Sequence, residues 1–272
     1  PWIRVIAPLF EFMNIIPGYR EADVSLCFLV FFSLFFGILI GDAGYGTLFL
    51  LGTVFAHQKA PKGIDPAPFR LMYILSGCAI AWGLATGSFF GVSLFGKWIH
   101  PMVPWLSSEK NLQLLCFMIG ITHLTIAHVW RGLRKLPSIA AFGDAGWILL
   151  LWCAYFLAGQ IILDRPAPAF LMPMLWTGVG IVIFFNQPNR NILKGAGMGL
   201  SDLLLGIMGV FIDLISYIRL FAVGAAGFAL AESFNAAVTG LGFGNVFSGF
   251  GTALILVMGH SLNIILNLMA DL

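Results

Sequence analysis

One arginine stands alone in an apolar run long enough to be a helix. Residues 199–237 read GLSDLLLGIMGVFIDLISYIRLFAVGAAGFALAESFNAA. Between Asp213 and Glu232 the only formal charge is Arg219, and its neighbours Tyr217, Ile218, Leu220 and Phe221 are side chains suited to lipid. A guanidinium at mid-span is unfavourable by about 2.5 to 3.5 kcal/mol, so it faces a bundle interior, a wet cavity or a partner carboxylate. Arginine stays protonated, and the chemistry it offers is therefore electrostatic: it lowers the pKa of a nearby acid without carrying the ion itself. Asp213 and Glu232 lie six and thirteen residues away, off the Arg219 face at about 100° per residue. Asp42 and Asp144 sit near segment ends and Asp164 in a loop, so no other span offers a carboxylate at an obvious midplane position. The charge that completes Arg219 is expected on another polypeptide; the alternative is an arginine that snorkels or pairs inside its own bundle.

A second constellation closes the chain. His260, Asn263, Asn267 and Asp271 recur at intervals of three, four and four, which puts them on one stripe of an otherwise apolar helix. Such a stripe either ties helices together by hydrogen bonds or lines water, and the pattern leaves both open. Beyond Arg219, the small residues Gly224, Ala225, Ala226, Gly227 and Ala229 let another helix or a moving surface come close. His123 and His128, five residues apart, share no face and read as packing or hydrogen-bonding histidines, not metal ligands. Cys27, Cys78, Cys116 and Cys153 are scattered singly in apolar segments and form neither a disulfide framework nor a zinc site. The sequence has no glycine-rich phosphate loop or nucleophile elbow, and neither metal nor cofactor is expected. Gly41-Asp42-Ala43-Gly44-Tyr45 is echoed by Gly143-Asp144-Ala145-Gly146-Trp147, but the flanking residues do not continue the match, so chance outweighs an internal repeat.

The elements that must hold these residues are membrane helices. With 60% hydrophobic and 10% charged residues and a mean hydropathy of +0.96, a 272-residue soluble domain is excluded. The fold class is all-α, a polytopic membrane protein. The net charge of +2 is dispersed, with no basic run to imply nucleic acid. The chain opens on Pro1-Trp2-Ile3-Arg4, without initiator methionine or signal peptide, and is expected to be a fragment. Residues 1–24, with mixed charges and two prolines, suit an interfacial lead-in. Eight spans follow, at about 25–41, 45–57, 71–94, 111–130, 139–163, 169–186, 199–237 and 248–272. The first two make a helical hairpin broken at GDAGYG (41–46), and Trp98 and Trp105 fit an interfacial belt. With the amino terminus inside, ten cations fall on inner segments and three on outer loops, Arg219 excluded; this is the positive-inside bias. The seventh run exceeds the roughly 20 residues of a perpendicular span, so it tilts strongly or extends beyond lipid.

Four stretches carry a resemblance. SYIRLFAVGAAG (216–227), GYREAD (18–23), FFGILIGDAGYG (35–46) and VMGHSLNIILNLMADL (257–272) resemble, in order and spacing, the membrane domain of the V/A-type rotary ATPase subunit a family, called subunit I in prokaryotes. The likeness covers essentially the whole chain. It implies an eight-helix carboxy-terminal membrane half whose last two helices are long and tilted against a ring of proteolipid c subunits. It also implies peripheral-stalk and central-stalk partners, a role in ion transport without catalysis, and a prokaryotic plasma membrane. The soluble amino-terminal domain of that family is missing from this sequence.

By the same resemblance, Arg219 matches the family's essential arginine. Eukaryotic members place a histidine where this chain has Gly227, and the family's second arginine falls beyond Leu272. A c-subunit carboxylate must cross lipid neutral, as an acid or with sodium bound, and become charged at the stator to exchange its ion. Two aqueous half-channels ending on opposite sides of Arg219 would leave rotation of the ring as the only route between them. Ser216, Glu232, His260, Asn263, Asn267 and Asp271 are the candidates for lining those half-channels. Two competing readings are a self-contained secondary transporter, whose anionic substrate meets Arg219 at the midplane, and a membrane anchor in which these polar residues only fix packing.

Overall fold

Each long apolar run becomes an α-helix in the computed structural model, which describes residues 3–14, 23–92, 101–241 and 244–271, with the backbone alone at 3, 4, 240, 241, 270 and 271. Most of GYREAD, and Lys97 and Trp98, lie outside the described residues. A 3₁₀ turn at Ile3–Ile6 leads into α1 (Ala7–Phe12), followed by α2 (Ser25–Ile40), α3 (Ala43–Lys59) and α4 (Ala67–Thr86). Then come α5 (Glu109–Lys135), α6 (Ala141–Leu163), α7 (Leu171–Phe185), α8 (Ile192–Leu241) and α9 (Val246–Asp271).

Helices α4, α5, α6, α8 and α9 are each long and apolar enough to cross a membrane. The α2–α3 pair, bent by 120° at its break, adds a sixth candidate, and the apolar α7 is shorter. Large apolar side chains such as Ile161, Leu205 and Trp176 stand exposed on their helices, as they do where a helix faces lipid and not water.

Helix ends follow their capping chemistry more closely than hydropathy. α4 starts at Ala67, with Pro68 in its first turn, and stops at Gly87, whose φ of 77° ends the helix well before residue 94. α5 runs on to Lys135 because Arg134 and Lys135 in its last turn favour the negative end of the helix dipole. α8 starts earlier than the hydropathy implies, at Ile192, because the Asn191 side chain accepts the backbone N–H of Leu193 at 3.1 Å and of Lys194 at 3.4 Å. With 50 residues, α8 is about 75 Å long at 1.5 Å per residue, far longer than the hydrocarbon core is thick.

The chain forms two compact units: residues 1–108 with 220–272, and residues 109–219. In the first, Ile6 and Val5 of the lead-in are buried with Phe36, Tyr45, Leu71 and Leu75. In the second, Trp147, Leu150, Val182 and Leu203 make one cluster, and Phe117, Leu163 and Leu214 another. α8 supplies residues to both units.

Candidate functional site

Arg219 closes the second unit and is exposed. What orients it is Tyr217, two residues earlier. The Tyr217 hydroxyl and His123 Nδ1 share a hydrogen bond at 2.8 Å, and the two rings meet edge-on at 6.2 Å. Leu214 and Ile218 pack with Phe117 on the same side. Two residues turn a helix by about 200°, so with Tyr217 held on α5, Arg219 leaves from the opposite side. That side is lined by Met208, Ile212 and Ile215, all exposed and apolar. Among the described residues the ion pairs join Lys110 with Asp164 and join His128, Arg131 and Lys135 with Asp144; none includes Arg219. Ser216, half-buried, donates its hydroxyl to the Ile212 carbonyl at 2.8 Å.

A polar cleft of about 620 Å³ opens in the same unit, lined among others by Asp202 and Asp213 of α8, Asn186, Gln187, Arg131 and Lys135. Asn186 and Gln187 donate to Asp202 Oδ2 at 2.6 and 2.7 Å, whereas Asp213 is exposed. Beneath the cleft Asp144 is 1% exposed. It pairs with Arg131 Nε and, at 2.7 Å, with Lys135 Nζ, and His128 Nδ1 lies 3.4 Å away. Positions 128, 131 and 135 fall on one face of α5, so three nitrogen-bearing side chains converge on one buried carboxylate.

In the first unit the break between α2 and α3 gathers a buried polar network. Gly41, at φ 66°, ends α2 in the left-handed region. Asp42 then caps α3, accepting the N–H of Gly44 at 2.7 Å and of Tyr45 at 3.1 Å. The same carboxylate accepts from the Ser88 hydroxyl at 2.6 Å and from the N–H of Phe90 at 2.8 Å and of Gly91 at 2.9 Å. Tyr45, also buried, shares a 2.7 Å hydrogen bond with His260 Nδ1. Its hydroxyl accepts from Asn263 Nδ2 at 3.0 Å, while the other hydrogen of that amide reaches the Gly227 carbonyl at 2.9 Å. Asn267 donates weakly to Asn263 Oδ1 at 3.4 Å. A Cβ on Gly227 would fall 2.6 Å from Asn267 Nδ2, so a larger residue there displaces that amide.

No family model matches the chain. It is 35% identical over 292 residues to the V-type ATP synthase subunit I of Borreliella burgdorferi, an alignment covering 98% of this chain and 47% of that protein. The corresponding figures for V-type ATP synthase subunit I 1 of Treponema pallidum are 30%, 288 residues, 99% and 46%. The A-type ATP synthase subunit I of Methanocaldococcus jannaschii is 26% identical over 308 residues, covering 97% of this chain and 43% of that protein. This chain is a homologue of V/A-type ATP synthase subunit I. It spans about half the length of the curated relatives it matches, and those relatives bear the names of subunits of a complex.

Within this subunit I homologue the residues singled out in the sequence divide by environment. Glu232 is exposed on α8 and His260 half-buried on α9. Asn263 and Asn267 are buried, at 0% and 3% exposure, and hydrogen-bonded as described. Asp271 ends α9, and its side chain lies outside the described residues. Among the described residues no group of three or more His, Cys, Asp or Glu could hold a metal ion. The paired aspartates of the GDAG echo do different work: Asp42 binds backbone and hydroxyl donors, Asp144 binds cations. Reading the sequence missed Tyr45 and the convergence on Asp144. The second was signalled by the 128, 131 and 135 spacing; the first, a tyrosine among apolar residues, had no signal of its own.

Proposed function

We propose that this chain is the membrane-embedded stator segment of a V/A-type rotary ATPase, in which Arg219 discharges the carboxylates of a passing c ring. The observation that carries the reading is an arginine exposed on an apolar helix face with no carboxylate of its own among the described residues. The small exposed positions that follow it on α8, Ala222, Ala225, Ala226 and Ala229, allow a rotor helix close approach. On this reading α2 to α9 are the eight membrane helices, with α8 and α9 long and tilted against the ring.

A ring carboxylate crosses lipid neutral and reaches Arg219 from one half-channel. There the fixed positive charge favours its ionised form, and the proton or sodium ion leaves. The guanidinium does not release its own proton, so ions cannot leak past without rotation. The polar cleft carrying Asp213 supplies water access from one side. We assign the rest of the half-channel lining to Ser216 and Glu232 on α8 and to the polar edge of α9 from His260 to Asp271, with Asn263 and Asn267 as the wall behind it. The chain itself catalyses no reaction; its partners are the c-ring proteolipids, the peripheral and central stalks and the bilayer of a prokaryotic plasma membrane.

The test is Arg219→Ala in the assembled complex. ATP-driven ion pumping into vesicles should disappear while assembly stays intact, and normal pumping by that variant would falsify the assignment. Reconstituting the purified chain without a ring separates the stator from a self-contained transporter, since a stator alone moves nothing.

A further inference from the structure

We propose that Asp42 and Tyr45 are positioning residues, through which the corner between α2 and α3 clamps the later part of α8, together with α9, in the register that faces the rotor. This rests on the stator reading above for its functional consequence, but not for its geometry. Two chains of contact lead from the corner. In one, Asp42 fixes the Phe89–Gly91 turn, and that turn meets α8 directly: Asn235 Nδ2 donates to the Phe90 carbonyl at 2.7 Å, and Gly91 packs on Ala231 so closely that no Cβ would fit. In the other, Tyr45 holds His260 and Asn263 of α9, and Asn263 passes the contact on to the Gly227 carbonyl of α8. The Tyr45 ring meets Phe90 edge-on at 5.4 Å, which joins the two chains.

A buried carboxylate in an ion-transporting chain invites a different role, that of carrying the ion. The surroundings of Asp42 argue against it. Its two oxygens accept five hydrogen bonds and the residue is 4% exposed. Protonation would turn one acceptor into a donor facing N–H and O–H groups that need an acceptor.

The two roles separate on Asp42→Asn. Three of the five donors, the N–H groups of Gly44, Tyr45 and Phe90, use Oδ1, and an asparagine keeps that oxygen. In the assembled complex, amide hydrogen exchange over residues 228–239 and 258–268 is followed beside ATP-driven transport. Asp42→Asn, whose amide nitrogen takes the place of the oxygen bonded to Ser88 and Gly91, should speed exchange by an intermediate factor of about three to ten, mainly over 228–239, with transport falling only in step, whereas Asp42→Ala should exchange at least about tenfold faster in both segments and lose transport in parallel. Tyr45→Phe should loosen mainly 258–268. Transport abolished in Asp42→Asn with exchange unchanged would mean that the carboxylate carries ions, and it overturns the proposal. Wild-type exchange in Asp42→Ala overturns it equally. Should Asp42→Ala not assemble, Asn235→Ala, which removes only the contact to Phe90, must still speed exchange over 228–239, and unchanged exchange there sinks the clamp. Because exchange is read without pumping, an Arg219→Ala complex that pumps normally would remove the stator reading and leave the exchange result standing.

Discussion

Gly120 of α5 lies against the ring of Tyr217: a Cβ added at residue 120 would sit 2.5 Å from both Cγ and Cδ2 of that ring. The absence of a side chain on one helix therefore sets the position of a tyrosine on another, and through it the side from which Arg219 emerges. Gly120→Val should displace the ring, destabilise the chain by about 1 to 3 kcal/mol and impair coupled transport. Tyr217→Phe, which removes only the hydroxyl bonded to His123, should cost about 1 kcal/mol. Thermal unfolding in detergent with parallel pumping assays checks both, and a Gly120→Val chain as stable and active as wild type would contradict the arrangement.

Arg219→Lys keeps a positive charge but replaces a group that cannot deprotonate by one whose pKa shifts readily in apolar surroundings. Pumping should fall by at least about tenfold, with assembly unchanged. Equal pumping by the lysine variant would mean that charge alone suffices.

Around Asp144 the asymmetry of exposure fixes an order. The carboxylate is buried, while the Arg131 and Lys135 side chains are 52% and 33% exposed and can turn to water. Removing both cations strands a buried charge and should cost about 3 to 5 kcal/mol, whereas Asp144→Asn should cost about 1 kcal/mol. Melting temperatures of Arg131→Gln with Lys135→Gln against Asp144→Asn test this, and the reverse order would refute it.

An apolar cavity of about 300 Å³ among α5, α6, α7 and α8 includes Ala154 and Ala158 in its lining. Ala158→Leu should be tolerated or stabilising by about 0.5 to 2 kcal/mol. Gly206→Ala, close by on α8, should destabilise instead, because its Cβ would run into the Trp147 indole. Equal effects from the two substitutions would contradict this packing.

That no described ion pair includes Arg219 was legible in the sequence, because neither Asp213 nor Glu232 falls on its face at helical spacing. The break at GDAGYG was also legible, since glycine and aspartate at a helix junction state their own geometry, but α2 and α3 diverge by a 120° bend there and each packs on α4, not on the other as a hairpin. The surroundings of the α9 stripe were not. Periodicity places His260, Asn263 and Asn267 on one face but says nothing of what meets that face, and the partners that enclose it, Tyr45 and the Gly227 carbonyl, lie far away in sequence. That α8 begins at Ile192, ahead of the apolar run from 199, was hidden for a related reason: hydropathy marks the apolar stretch, whereas the first turn is set by one asparagine side chain.

The corner at Asp42 also dictates an order of events during synthesis. The Asp42 carboxylate finds three of its donors at Ser88, Phe90 and Gly91, and the Ala43 N–H donates to the Ser88 carbonyl, all beyond the end of α4. A ribosome adding about 5 to 20 residues per second therefore releases α2 and α3 seconds before the three later donors to this carboxylate exist, with only the N–H groups of Gly44 and Tyr45 already at hand. On the stator reading, until α4 has followed them into the bilayer that bend must be sheltered by water or by the insertion machinery, and only afterwards can lipid close around it.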